Sequence, residues 1–121
     1  MLPGEYVICR LPAGSPLPPG LTGSRSGVVC VVWSEDETSV LCPSDRAPEG
    51  ADTDTLWRCF RAGPVSLVQT GVMAALAVPL AEARVNIFAF STHDSDYLLV
   101  PTVRLNEAMK ALSEAGHRVV P

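Results

Sequence analysis

Histidine is almost absent from this chain, with only His93 and His117 in 121 residues, and that scarcity removes most acid–base catalysis at the outset. An enzyme needs a nucleophile with its base, or a metal set. His117 sits beside an expected helix end, where an imidazole serves structure or is solvated. His93 shares one short turn with Asp94 and Asp96, and three ligands that close in sequence surround a metal poorly. No catalytic residue, no metal site and no cofactor are therefore expected.

Other absences narrow the choice further. The four cysteines, Cys9, Cys30, Cys42 and Cys59, include no Cys-x-x-Cys pair, so zinc or redox chemistry lacks its usual spacing. Each lies in an apolar run and reads as a reduced, buried small hydrophobe. The acidic loops lack the ordered ligand spacing of a calcium site. Nine basic residues against thirteen acidic ones give a net charge of −4. The arginines are scattered among acids, so no nucleic acid is expected as a partner. The longest apolar stretch, Val72 to Ala81, is broken by Pro79 and falls far short of the roughly 20 residues of a membrane helix. No membrane partner is expected. The first residues carry neither the basic region nor the apolar core of a secretory signal. A cytoplasmic location is expected.

What remains is a globular pattern of strands and two helices. The runs Glu5 to Leu11, Val28 to Trp33 and Ser39 to Cys42 read as strands, with a hairpin turn at Ser34 to Glu37. The stretch 11–20, rich in proline and glycine, cannot sustain a helix. An acidic loop, Pro43 to Asp54, separates this half from the next. Leu56 to Arg61 then reads as a strand. Val72, Leu76, Leu80 and Ala83, with Ala75 between them, mark one face of a helix that Pro79 kinks without abolishing. Ser66 and Gln69 have capping-box spacing at its start, with Thr70 as a competing cap. Arg84 to Phe90 reads as a strand, 91–95 as a turn, and Tyr97 to Val100 as a strand. Leu105, Ala108, Met109 and Leu112 recur at helical spacing up to Gly116. His117 to Val120 reads as a closing strand.

The order strand, helix, strand, strand, helix, strand is the ferredoxin-like α+β arrangement, with both helices on one face of the sheet. Val85, Ile87 and Ala89 alternate with Phe88 and Phe90, so both sheet faces ask for burial. The N-terminal strands or a second subunit must cover the second face.

In a βαβ unit the loop leaving the first strand and the turn leaving the second emerge at one edge of the sheet. Here these are Gly63 to Thr70 and Ser91 to Asp96. Backbone amides at a helix start favour a carboxylate, and Gly63 and Gly71 permit close approach. Asp94 and Asp96 are placed to meet an ammonium group, so the edge suits a zwitterion. Taken on residues alone, the plainer reading has the better claim: Ser66 and Thr70 cap the helix and the aspartates shape an ordinary turn.

The segments 63–83 (Gly-Pro-Val-Ser-Leu-Val-Gln-Thr-Gly and onward) and 86–100 (Asn-Ile-Phe-Ala-Phe-Ser-Thr-His-Asp-Ser-Asp-Tyr-Leu-Leu-Val) change that balance. Together they resemble the ACT-domain group that includes small bacterial proteins, the animal cytosolic arginine sensors and aspartokinase-type regulatory domains. The echo is nearest in the Ser-Thr-x-x-Ser-Asp-Tyr-x-Leu-Val run, and it covers residues 56–120. The resemblance implies an ACT domain over 56–121, preceded by a partial, strand-rich ACT-like module over 1–55. It also implies a non-catalytic regulatory protein, working as a homodimer and binding a free amino acid or similar small zwitterion where modules meet. Site positions carried over from the group are Ser91, Thr92, Ser95 and Asp96, faced by the loop Gly63, Pro64, Val65 and Ser66. His93 departs from the group in standing where an aromatic is usual, and Ser66 where an acid is common. The rival expectation is an interaction or structural module that kept this fold without a ligand.

Overall fold

The structure is a computed structural model that describes residues 1–22, 26–50, 52–53, 55–64 and 70–120. The chain divides into two compact units, Gly4–Leu56 and a second made of Met1–Pro3 with Trp57–Pro121.

The first unit is built on strands β1 (Tyr6–Pro12), β2 (Cys30–Trp33), β3 (Glu37–Pro43) and the short β4 (Asp52–Thr53). β1 and β3 run antiparallel from Tyr6 opposite Pro43 to Pro12 opposite Glu37. β2 pairs with β3 as a hairpin, and β4 pairs with β1 at Cys9 and Arg10. The hairpin turn closes where the sequence places it: the Ser34 amide donates to the Glu37 carbonyl at 3.0 Å, and the Glu37 amide donates to Ser34 Oγ at 3.1 Å. Strand alternation directs Val7, Cys9, Val40 and Cys42 into one core, where Leu21, just after the proline-rich stretch, joins them.

Arg46, from the 3-10 turn Ser44–Arg46, grips the end of that stretch and the described residues after it. Its guanidinium donates to the carbonyls of Gly20 (3.2 and 3.1 Å), Leu21 (3.0 Å) and Ser26 (3.3 Å). Its planar fork of donors suits several convergent acceptors. The acidic loop expected over 43–54 therefore contains both this turn and β4, neither of which hydrophobic patterning announces.

The second unit contains β5 (Trp57–Ala62), α1 (Val72–Glu82), β6 (Phe88–Ser91), β7 (Asp96–Pro101) and α2 (Leu105–Glu114). β7 lies between β5 and β6, antiparallel to both. β5 and β6 are thus parallel and non-adjacent, the split βαβ arrangement. Leu80, Val85, Leu98, Val100, Ala108 and Leu112 form the core, with Phe60 packed against it. Residues opposite each other in the ladders share a face. The helices therefore cover the face of Phe60, Leu98 and Val100, while Cys59, Leu99, Tyr97, Phe88 and Phe90 lie on the other.

Three expectations need correction. The strand expected over 84–90 begins only at Phe88, because Arg84 takes a left-handed φ of 59° and turns the chain after α1. Thr70 does not cap α1: Gly71 is the N-cap, without a side-chain hydrogen bond. The capping residues Ser66 and Gln69 lie outside the described residues. The closing strand over 117–120 forms no ladder; its anchors are the Met1 ammonium, which donates to the Val120 carbonyl at 2.6 Å, and His117 against the Ala75 carbonyl at 2.7 Å. Pro79 sits inside α1, which continues through it to Glu82.

Among the described residues no helix is long and apolar enough to cross a membrane, and no group of three or more His, Cys, Asp or Glu could hold a metal ion. All four cysteines are free, and Cys9, Cys42 and Cys59 are buried. Burial pushes the Cys42 and Cys59 thiols up to about 12, so neither is a nucleophile near neutral pH.

Candidate functional site

The end of β5 and the turn between β6 and β7 lie against each other. Antiparallel pairing sets Ala62 opposite Asp96, so the next residue of each segment leaves the sheet at the same rim. Gly63 has a φ of +147°, and a Cβ built on it would stand 3.0 Å from both the Asp94 carbonyl oxygen and Ser95 Oγ. Only a residue without a side chain fits this approach, so glycine sets the spacing of the rim.

The turn is organised by its own polar groups. The Thr92 amide donates to the Ser95 carbonyl at 2.8 Å, and the Thr92 hydroxyl reaches the same oxygen at 3.4 Å. Ser91 Oγ donates to Asp96 Oδ1 at 2.6 Å. His93 Nδ1 lies 2.6 Å from Asp94 Oδ1, with both side chains largely exposed. Ser95 is the exception in exposure, being buried at 2%. Its hydroxyl accepts a hydrogen bond from Arg61 Nε at 3.1 Å.

The expected site residues therefore separate into two groups. Gly63 and Ser95, with the Asp94 carbonyl, come together at the rim. Ser91 and Asp96 pair with each other one step along, on the sheet face that the helices cover. Gly63 and Pro64 are exposed, whereas Val65 and Ser66 lie outside the described residues. Among the described residues the Thr92 hydroxyl stays within its own turn, on the Ser95 carbonyl.

Sequence reading missed Arg61. In the sequence it is the end of a strand, and the pairing of the strands places it on the same face as Tyr97 and Phe90. Phe90 and Tyr97 stack with ring centroids 4.9 Å apart and planes within 6°. Arg61 is exposed and held through Nε by a buried serine, which leaves the outer nitrogens of the fork for an incoming carboxylate. The signal that could have found it was the alternation linking Arg61, Tyr97 and Phe90 across three strands.

The rim thus brings together the Gly63 backbone, the Asp94 carbonyl, the Ser95 hydroxyl and the Arg61 guanidinium, with the Phe90–Tyr97 pair on the same sheet face as Arg61. Among the described residues none of them forms a nucleophile and base pair.

Comparison with known proteins places this geometry in context. The family model described as ACT domain matches residues 52–114. A crystallised protein of Agrobacterium tumefaciens is 34% identical, with a TM-score of 0.86 over 97% of this chain and 87% of that one. A Vibrio cholerae protein described as of unknown function and a possible transport protein is 18% identical, with a TM-score of 0.71 over 96% of this chain and 87% of its own. An allosteric aspartate kinase of Clostridium acetobutylicum has a TM-score of 0.65 at 11% identity, over 92% of this chain but 32% of the enzyme. At those two lower identities the likeness concerns the fold alone. No protein of curated function matches the sequence.

Proposed function

Because the chain belongs to the ACT-domain family, we propose that it is a non-catalytic regulatory protein that binds a free amino acid at the rim where Gly63 meets the 91–96 turn. The observation that carries this reading is the close approach of Gly63 to Asp94 and Ser95, with Arg61 held on Ser95 at the same place. The Arg61 guanidinium receives the ligand's carboxylate. The exposed Asp94 carboxylate in the same turn is assigned to its ammonium group, and Asp96 keeps to Ser91 on the helix side. The N-terminal unit is read as a partial ACT-like module, and the cytoplasm as the setting.

A thermal-shift screen of the full chain against the twenty amino acids tests the reading. At about 100 times its Kd, a ligand that prefers the folded state adds about 2.7 kcal/mol, a rise in Tm on the order of 10 °C. If no amino acid at millimolar concentration moves the transition, binding at this rim is lost as an explanation.

One observation favours a second reading, a ligand-free interaction module. The turn's side chains already engage one another, Ser91 with Asp96, His93 with Asp94, and Arg61 with Ser95. A turn kept only for structure would look the same, and a screen without a hit would support it.

Pairing of two copies is part of the proposal. Phe88, Phe90 and Tyr97 remain only partly buried on the face opposite the helices of their unit. A second copy is the proposed cover, so light scattering should give twice the mass of one chain. A strict monomer at high concentration would remove the dimer.

A further inference from the structure

A cavity of about 320 Å³ lies within the second unit, between β5, the 117–120 segment and the two helices. Its apolar walls are Phe60, Leu76, Leu98, Leu112 and Val119. A dry apolar void of about 150 Å³ already holds benzene, and ligand sites begin near 300 Å³. The space is therefore large enough for a compact organic molecule.

The polar part of the wall is one-sided. His117 and Arg118 line the cavity, and among the described residues no aspartate or glutamate does. In a chain of net charge −4, a wall with basic groups and no acid is a local reversal of sign that favours an anion. Arg118 is exposed and engages in no hydrogen bond or ion pair among the described residues. His117 Nε2 lies 2.7 Å from the Ala75 carbonyl. That nitrogen therefore carries its proton, and Nδ1 is the ring atom left over.

We propose that this cavity is a second binding site, for a small monocarboxylic acid with a compact apolar body. The body fills the space among Leu76, Leu98 and Leu112, and the carboxylate lies at the 117–118 end. The site goes beyond the amino-acid reading and is separate from it: among the described residues, Arg61 and Gly63 are the only ones common to the cavity wall and the rim. By strand alternation, Arg61 directs its side chain to the opposite face of the sheet.

The test is a titration of the full chain with 3-phenylpropionate, followed by methyl NMR. The methyl signals of Leu76, Leu98 and Leu112 should shift, while acetate at the same concentration leaves them in place. The neutral amide of the same acid should bind about tenfold more weakly, having lost a charge-assisted contact. Leu76→Phe, which fills the cavity, should abolish the response. If that variant does not fold, the titration of the unaltered protein decides alone. Leucine methyl signals that stay fixed, or an amide that binds as well as the acid, would overturn the assignment.

Discussion

Gly63→Ala is expected to destabilise the protein by about 3 kcal/mol and to abolish any rise in Tm on adding the amino acid. Two separate costs add at this position. A φ of +147° is one that L side chains rarely adopt, and holding a residue there costs on the order of 1–3 kcal/mol. The new methyl group also meets the Asp94 carbonyl oxygen and Ser95 Oγ at 3.0 Å. The first of these is backbone in a hydrogen-bonded turn, and the second belongs to a buried serine tied to Arg61. Neither yields easily, and overpacking of this kind costs about 1–3 kcal/mol. The relief available is to push the two segments apart, which opens the rim. Chemical denaturation gives the stability change, and the thermal-shift response gives the binding change. An alanine variant that keeps its full amino-acid response would place the ligand elsewhere.

Leu80→Ala separates loss of stability from loss of function. Leu80 is fully buried on the last turn of α1 and packs in the core with Val85, Leu98, Val100, Ala108 and Leu112. Truncating such a leucine costs about 2.7–5 kcal/mol, according to how far the cavity collapses. A loss of about 3 kcal/mol is expected, similar to that of Gly63→Ala. The amino-acid response should survive, because Leu80 packs in the core with Val85, Leu98, Val100, Ala108 and Leu112, none of them an expected site residue. If both variants lose the response equally, the effect of Gly63→Ala reflects general loosening rather than the rim. If Leu80→Ala costs under 1 kcal/mol, the core is not packed as described.

The two helix ends explain why some of the fold was legible in the sequence and some was not. Both helices close with the same motif. After α2, Gly116 has a φ of 93°, and the His117 amide donates back to the Leu112 carbonyl at 3.0 Å. After α1, Arg84 has a φ of 59°, and the Val85 amide donates back to the Leu80 carbonyl at 2.9 Å. Glycine advertises a left-handed turn, so the end of α2 could be read directly. Arginine does not, so the chain after α1 read as a strand starting too early. The arginine is held there by its neighbours: Val85 and Leu80 share the core, and Arg104 donates to the Ala83 and Arg84 carbonyls.

The same division holds at the rim. Spacing along the chain could show that Gly63 and the 91–96 turn leave the sheet at one edge, because strand order fixes that. It could not show that Ser91 and Asp96 would pair on the helix side while Ser95 turned the other way. Nor did it single out Arg61, whose neighbours in space are 34 residues away at Ser95 and on strands further along. Long-range side-chain contacts of this sort leave no periodic trace.

The contacts of Arg46 with Gly20, Leu21 and Ser26 carry a consequence for solution conditions. Its acceptors are neutral carbonyls, unlike those of the exposed ion pairs Arg10–Glu37 at 3.8 Å and Lys110–Glu114 at 3.9 Å. Added electrolyte screens charge from charge, and acid titrates carboxylates, yet a guanidinium gripping main-chain oxygens is exposed to neither mechanism. The hold of Arg46 on Gly20, Leu21 and Ser26 should therefore persist in brine and in mild acid, where those two surface pairs fall silent.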